Sequence, residues 1–237
     1  MKTGIVVGAG GGIGAACVRA LSGSADLTVL VGRRPEPLES IAREIESPVT
    51  VVPADVATAR GRDAIVAAVD GELGWVVLAS GVPVRRPLAA LEEEEIEHAF
   101  AANVVGPTLL LRRLLHLPWS KPKAIVVIGS ISASRTLPDR SVYSASKAGI
   151  EHLARSLSTE VAGCGIRVNV VAPGVIETPF LGDAREALDA WVETHVPLGR
   201  CGTADEVASA VRYLILEAPG YLTGTRMAVD GAAEALA

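Results

Sequence analysis

Thr3-Gly4-Ile5-Val6-Val7-Gly8-Ala9-Gly10-Gly11-Gly12-Ile13-Gly14 opens the chain almost from its first residue. Thr3–Val7 reads as a short strand, apolar on both faces, as a strand covered by helices on each side must be. The glycines follow as a turn, and a helix begins near Ile13–Ser22. Glycines let backbone N–H groups approach a pyrophosphate, and a helix N-terminus favours its negative charge. Glycine also serves plain tight turns. The position between the first strand and the first helix is what points to a dinucleotide. The spacing Gly8, Gly12, Gly14 is Gly-x-x-x-Gly-x-Gly, not the commoner Gly-x-Gly-x-x-Gly.

The same alternation continues to the end of the chain. Strands are predicted at Thr3–Val7, Leu27–Val31, Val49–Val52, Trp75–Leu78, Ala124–Ile128, Ile166–Ala172 and Arg226–Val229. Helices fall between them, near Ile13–Ser22, Pro37–Glu46, Ala59–Asp70, Glu92–Leu117, Ser141–Ala162 and Thr203–Leu216. Strands alternating with helices give an α/β fold with a doubly wound parallel sheet. The 237 residues, 49% hydrophobic, can bury a sizeable core. No linker or repeat divides them, so one domain is expected over residues 1–237.

Charge and composition exclude several classes. The net charge is −5 with no long basic run, which argues against nucleic acid. No run of about 18 apolar residues would span a membrane, and Met1-Lys2-Thr3 leaves no room for a signal peptide before the first strand. Cys17, Cys164 and Cys201 are odd in number and widely spaced, and are expected to be buried thiols in a reducing cytoplasm. The four histidines show no metal-ligand spacing, and no metal is expected.

A NAD site usually offers an acid to the ribose hydroxyls about 20 residues after the glycine turn. Here Gly32-Arg33-Arg34 ends the second strand. Nothing there repels a 2′-phosphate, and a guanidinium can grip one in fork geometry. NADP(H) is therefore expected over NAD(H), with Arg33 as the main contact and Arg34 second. The competing reading makes both arginines solvated turn residues and leaves NAD(H) possible. Asp55-Val56, after the third strand, is placed for the adenine edge.

Tyr143-Ser144-Ala145-Ser146-Lys147 sets a phenol and an ammonium four residues apart in a helical segment, hence on one face. An adjacent cation favours the phenolate and brings it nearer to acid–base use at neutral pH. Ser130 lies 13 residues before Tyr143, just after an apolar strand. Pro107 stands four residues after Asn103 in an otherwise helical run. Proline has no N–H, so the Asn103 carbonyl loses its helical partner and a kink there would free it to hold a water.

Taken together, these residues resemble the short-chain dehydrogenase/reductase family. The resemblance rests on the glycine turn, Asp55, Asn103, Ser130, Tyr143, Lys147 and Pro173-Gly174, and runs from Gly8 to Asp230-Gly231. It implies a seven-stranded Rossmann sheet, homotetramers or homodimers, and hydride transfer between a nicotinamide and an alcohol or carbonyl. It gives Tyr143 the role of acid, with Lys147 depressing its pKa and holding the nicotinamide ribose. Ser130 would hydrogen-bond the substrate oxygen, and Asn103 would position a water leading from Lys147 to solvent. Gly8, Gly10, Gly11, Gly12, Ile13, Gly14 and Gly81 would line the cofactor, together with Tyr143 and Lys147. After strand six, Pro173, Gly174, Ile176 and Thr178 would flank the nicotinamide carboxamide. Two motifs depart from the family. Val7 replaces a threonine, and Leu78-Ala79-Ser80-Gly81 replaces Asn-Asn-Ala-Gly. Losing both polar partners together can be nearly neutral, so a matched apolar replacement is expected.

The resemblance also implies a mobile substrate lid over about residues 178–202. Phe180, Leu181 and Trp191 there read either as an apolar wall or as helix-packing residues, with Leu137, Val82 and Val175 as further wall candidates. Arg85, Arg86, Arg135 and Arg140 read first as solvated surface residues. Their alternative is to meet a carboxylate or an acyl-carrier phosphopantetheine. The helices near 92–117 and 141–162 would form the subunit interface. The expected substrate is a ketone or secondary alcohol, with 3-oxoacyl thioesters, cyclic ketones, sugars and polyketide-type aromatics all open. The rivals are an NAD-dependent dehydrogenase and a cofactor sensor without turnover.

Overall fold

Apolar runs long enough to be buried on both faces dictate the centre of the molecule. The computed structural model describes residues 1–181 and 185–236. Its seven strands are β1 (Lys2–Val7), β2 (Leu27–Gly32), β3 (Val49–Pro53), β4 (Glu72–Leu78), β5 (Trp119–Ile128), β6 (Arg167–Pro173) and β7 (Arg226–Val229). They form one sheet in the order β3-β2-β1-β4-β5-β6-β7, with every pairing parallel. The order reverses between β1 and β4, where doubly wound sheets open a crevice for ligands.

Alternate side chains of each strand feed two cores. One face carries Ile5, Val31, Val76, Ile125 and Val168 against α3 (Ala59–Ala67), α5 (Gly106–Leu114) and α6 (Ser141–Val161). The other carries Val6, Leu30, Val77, Val126 and Val171 against α1 (Gly12–Ala20), α2 (Pro35–Glu44) and α8 (Ala204–Arg212). The two remaining α-helices are α4 (Glu93–Phe100) and α7 (Arg185–His195). Helix ends follow local chemistry. Pro35 sits in the first turn of α2, where its missing N–H costs nothing. Glu92 and Glu95 close a capping box on α4, and Thr203 and Glu206 close another on α8.

Several expectations shift. β4 begins at Glu72 and β5 at Trp119, earlier than the apolar runs suggest. Leu73 pairs with Trp119 before a register irregularity between Leu73 and Trp75. The polar and proline residues of 120–123 hide that pairing from a pattern reading. The single helix expected over 92–117 is three pieces: α4, a π-helical turn over Ala101–Val105, and α5. α7 is a helix where only a lid was expected, and its residues before Ala190, like 182–184, lie outside what is described of side chains. Only Cys17 is buried, and burial pushes its thiol up to about 12; Cys164 is exposed, contrary to expectation, because it lies in the turn after α6 rather than in a core element. Leu110, Leu111 and Leu114 are absorbed by the chain's own core, which accounts for much of the apolar surface seen in that helix. Among the described residues no helix is long and apolar enough to cross a membrane.

Candidate active site

The C-terminal ends of the strands open onto one cavity of about 950 Å³, within the range of cofactor and substrate pockets. All of the sequence-predicted site residues except Asn103 line it: Gly8, the 10–14 turn, Arg33, Arg34, Asp55, Val56, Gly81, Ser130, Tyr143, Lys147, Pro173, Gly174, Ile176 and Thr178. Asn103 lies just behind, and its role is through contacts described below.

The glycine turn is built by close approach. Gly8 has φ +91°, and a Cβ there would lie 2.7 Å from the backbone of Ala79 and Ser80. Such a conformation suits only glycine. Over Gly11 the space is open, with Gly8 O the nearest atom at 3.8 Å from an added Cβ. Ser80 Oγ is buried nearby without a hydrogen-bond partner. Open backbone at a helix start and an orphan hydroxyl fit a dinucleotide. The two departures meet across the sheet. Val7 and Leu78 are in register on β1 and β4 and share one core cluster, while Ala79 N–H donates to Val7 O at 2.8 Å. An apolar pair thus stands where the family has a polar one, and no side chain of that pair is left unsatisfied.

Tyr143 and Lys147 sit one turn apart on the buried face of α6, 7% and 5% exposed. Lys147 Nζ donates to Ile128 O at 2.9 Å and lies 5.9 Å from the Tyr143 ring centroid. Burial pushes the Tyr143 phenol up from its ordinary value; the Ser130 side chain, Arg140 and Arg85 oppose this. The Lys147 ammonium gives one hydrogen to the Ile128 carbonyl. Burial pushes Lys147 itself down to about 8, against the attraction of Glu151.

The sign of that shift gives a stability prediction. The unfolded lysine holds its proton to near 10.5 and the folded one only to about 8. The unfolded state therefore binds more protons between those values, and stability rises with pH there. The penalty is fully present below about 8. In Lys147→Met it is gone, so the stability of the variant minus that of the parent should shrink by roughly 3 kcal/mol as pH rises from neutral to 10.5. Urea unfolding at a series of pH values measures this. Contributions from Tyr143 and Cys17 are common to both proteins. A difference flat with pH would contradict the buried-ammonium assignment.

Pro107 acts as the sequence suggests, by a different route. The helix absorbs the missing N–H through the π-turn, in which Gly106 N–H donates to Ala101 O. Asn103, 2% exposed, puts its side chain to structural use. Oδ1 accepts from Val82 N–H at 2.8 Å, and Nδ2 donates to Val82 O at 3.1 Å and to Ser146 Oγ at 3.0 Å. Ser146 Oγ in turn donates to Tyr143 O at 2.7 Å. Asn103 therefore pins the loop after β4 to the helix turn that carries Tyr143.

Glu151 was missed by sequence reasoning. It is 5% exposed, and its Oε1 accepts from Ser130 N–H at 2.9 Å. Its Oε2 pairs with Arg226 Nε at 2.7 Å. Gly129 makes room for it, since a Cβ there would lie 2.0 Å from Oε1. Arg226 also pairs with Glu234 at 2.6 Å and donates to Ser130 O at 3.3 Å. The turn carrying Ser130 is thus clamped from both backbone sides. The sequence offers one pointer to it, its place four residues after Lys147 on the same side of α6.

The chain matches the family model for enoyl-(acyl carrier protein) reductase over residues 8–232. It is 34% identical to carbonyl reductase family member 4 of Danio rerio, covering 98% of each chain. It belongs to the short-chain dehydrogenase/reductase family. It is also 33% identical to galactitol 2-dehydrogenase (L-tagatose-forming) of Cereibacter sphaeroides, over 95% of this chain and 92% of that one. The 3-oxoacyl-[acyl-carrier protein] reductase of Brucella melitensis, solved with NAD, superposes with a TM-score of 0.89 at 26% identity, over 99% and 97% of the two chains. This short-chain dehydrogenase/reductase is accordingly a nicotinamide-dependent oxidoreductase of alcohols or carbonyls.

Proposed function

We propose that this enzyme is an NADP(H)-dependent carbonyl reductase. The observation that carries the reading is Tyr143, a buried phenol facing the same cavity as the glycine turn, with Ser130 against it and Lys147 one helical turn on. Burial keeps the phenol protonated at neutral pH, which is the form a carbonyl oxygen needs as it accepts charge. Ser130 holds that oxygen. Lys147 holds the ribose, and Asn103 keeps the helix and the loop in register while its carbonyl holds a water toward solvent. When bound, the nicotinamide supplies the hydride in reduction.

Choice of cofactor rests on Arg33 and Arg34, which are exposed, line the cavity, and pair with no carboxylate among the described residues. An exposed guanidinium on a phosphate contributes about 1 kcal/mol. Arg33→Ala should weaken NADPH binding about fivefold and leave NADH nearly unchanged, as read by nicotinamide fluorescence titration. Similar dissociation constants for the two cofactors in the parent protein would favour NAD(H), the cofactor named for the Brucella relative. The short turn Pro179–Leu181 and α7 act as the substrate lid. Pairing of α4–α5 and α6 between subunits makes a dimer or tetramer of this chain, in the cytoplasm. Named substrates of the relatives range from a sugar alcohol to a 3-oxoacyl carrier thioester. Steady-state reduction of a ketone and 3-oxoacyl panel, with each cofactor, tests the reading.

A further inference from the structure

Four arginines near the cavity divide sharply by what holds them. Arg86 forks onto Glu95 at 2.8 and 2.9 Å, on the exposed side of the loop. Arg135 donates to Ala233 O and lies 5.7 Å over the Trp191 ring. Neither of these lines the cavity, whereas Arg85 and Arg140 do. Each of the latter two is half-buried. Among the described residues neither pairs with a carboxylate.

Their placement is specific. Arg85 is fixed by two backbone carbonyls, Leu181 O at 2.6 Å and Phe180 O at 3.1 Å. Its Nε is buried with no partner at all. Its guanidinium lies 5.9 Å from the Phe180 ring centroid, and that ring is 6.2 Å from the ring of Tyr143. Arg140 precedes α6 by one residue and Tyr143 by three. The two guanidiniums repel each other, and burial together with this repulsion pushes Arg140 below its ordinary range. Both act on the Tyr143 phenol. Two like charges partly removed from water, with no carboxylate paired to either among the described residues, are costly to maintain. An anion between them would offset that cost and complete the unused donors. Phe180 and Leu181 lie against Arg85, and Leu137 and Trp191 line the same cavity, so the ligand also needs an apolar body.

We infer that Arg85 and Arg140 form a carboxylate-binding subsite, and that the carbonyl substrate is a small oxo acid with an apolar skeleton. This rests on the carbonyl reductase reading above, and of the two readings open for these arginines it takes the carboxylate contact, which their half-buried state supports. The subsite is distinct from the cofactor phosphates, which the glycine turn and Arg33 and Arg34 would take.

Binding and turnover test it separately. Calorimetric titration of octanoate and octanamide, in the presence of NADP⁺ and again of NAD⁺, isolates the charge. A charge-assisted pair of hydrogen bonds predicts octanoate at least about tenfold tighter than octanamide. That preference should fall to within about threefold in the Arg85→Met/Arg140→Met variant and be partly kept in Arg140→Lys. Circular dichroism melts check that each variant is folded. Straight-chain oxo acids of increasing length, each beside its methyl ester, are then assayed for reduction. The ratio of kcat/KM for acid over ester should exceed about tenfold for at least one length and collapse in the double variant, through KM. Equal binding of octanoate and octanamide, or no saturable octanoate binding, overturns the subsite. Turnover of neutral ketones without any acid preference overturns it and leaves the reductase reading standing. Octanoate preference with no ketone reduced by either cofactor overturns the reductase reading and keeps the anion site. Arginine-dependent reduction of an oxoacyl phosphopantetheine thioester, with none for the free acids, overturns the small-acid assignment.

Discussion

Tyr143→Phe is expected to cut turnover by about 10²–10⁴-fold while changing stability by under about 1 kcal/mol. The asymmetry follows from the contacts. The change removes one hydroxyl from a ring that is 7% exposed and leaves the ring itself packed on α6. Ser130 Oγ is not orphaned by it, because it still accepts from Ser132 N–H at 3.1 Å. What is lost is the proton donor. Water is a poor substitute in a site whose burial already holds the phenol above its ordinary value. Cofactor affinity should stay within about twofold, since no cofactor contact is assigned to the hydroxyl alone. Steady-state kinetics and a thermal melt on the same preparation read both halves. A variant that retains more than about a tenth of the parent's turnover would remove Tyr143 as the acid.

Glu151→Ala should be the most destabilising single change near the site, at about 3 kcal/mol. It leaves Arg226 Nε and the buried Ser130 N–H without their partner. Arg226 keeps Glu234 and is 21% exposed, so the loss falls at the low end for a broken buried pair. For a domain of this size that is a fall in Tm of roughly 6–12 °C. Turnover should also drop, because Ser130 loses one side of its clamp and small displacements of a positioning group are expensive. Glu151→Gln retains an oxygen for Ser130 N–H, and should recover most of the turnover but only part of the stability. Arg226→Met combined with Glu151→Ala should cost less than the sum of the two, since they belong to one network. Strict additivity, or turnover lost equally in the Gln and Ala variants, would count against the clamp.

The sheet and the glycine turn were legible because burial on both faces demands long apolar runs and because a turn pressed against Ala79 and Ser80 demands glycine at position 8. Asn103 was legible through Pro107, although the helix solved the lost N–H with a π-turn and put the side chain to structural use. Glu151 was hidden by its charge, which reads as solvated until its partner Arg226, 75 residues away, is brought against it. The arginines could not be sorted at all from the sequence. Arg85 and Arg86 are neighbours, and only the fold sends one to Glu95 and the other to the cavity. The start of β5 was concealed by Lys121 and Pro122, whose pattern resembles a loop.

Hydride transfer itself is the most direct thing to measure. The enzyme would be incubated with NADPH carrying deuterium at both C4 positions, and separately with NADH so labelled, against the ketone and oxo-acid panel. Mass spectrometry of the alcohols then shows whether the carbinol carbon has gained deuterium. One deuterium per alcohol with labelled NADPH, less with labelled NADH, and none with Tyr143→Phe is the expected result. Tight NADPH binding with no deuterium in any product would contradict a reductase built on Ser130, Tyr143 and Lys147.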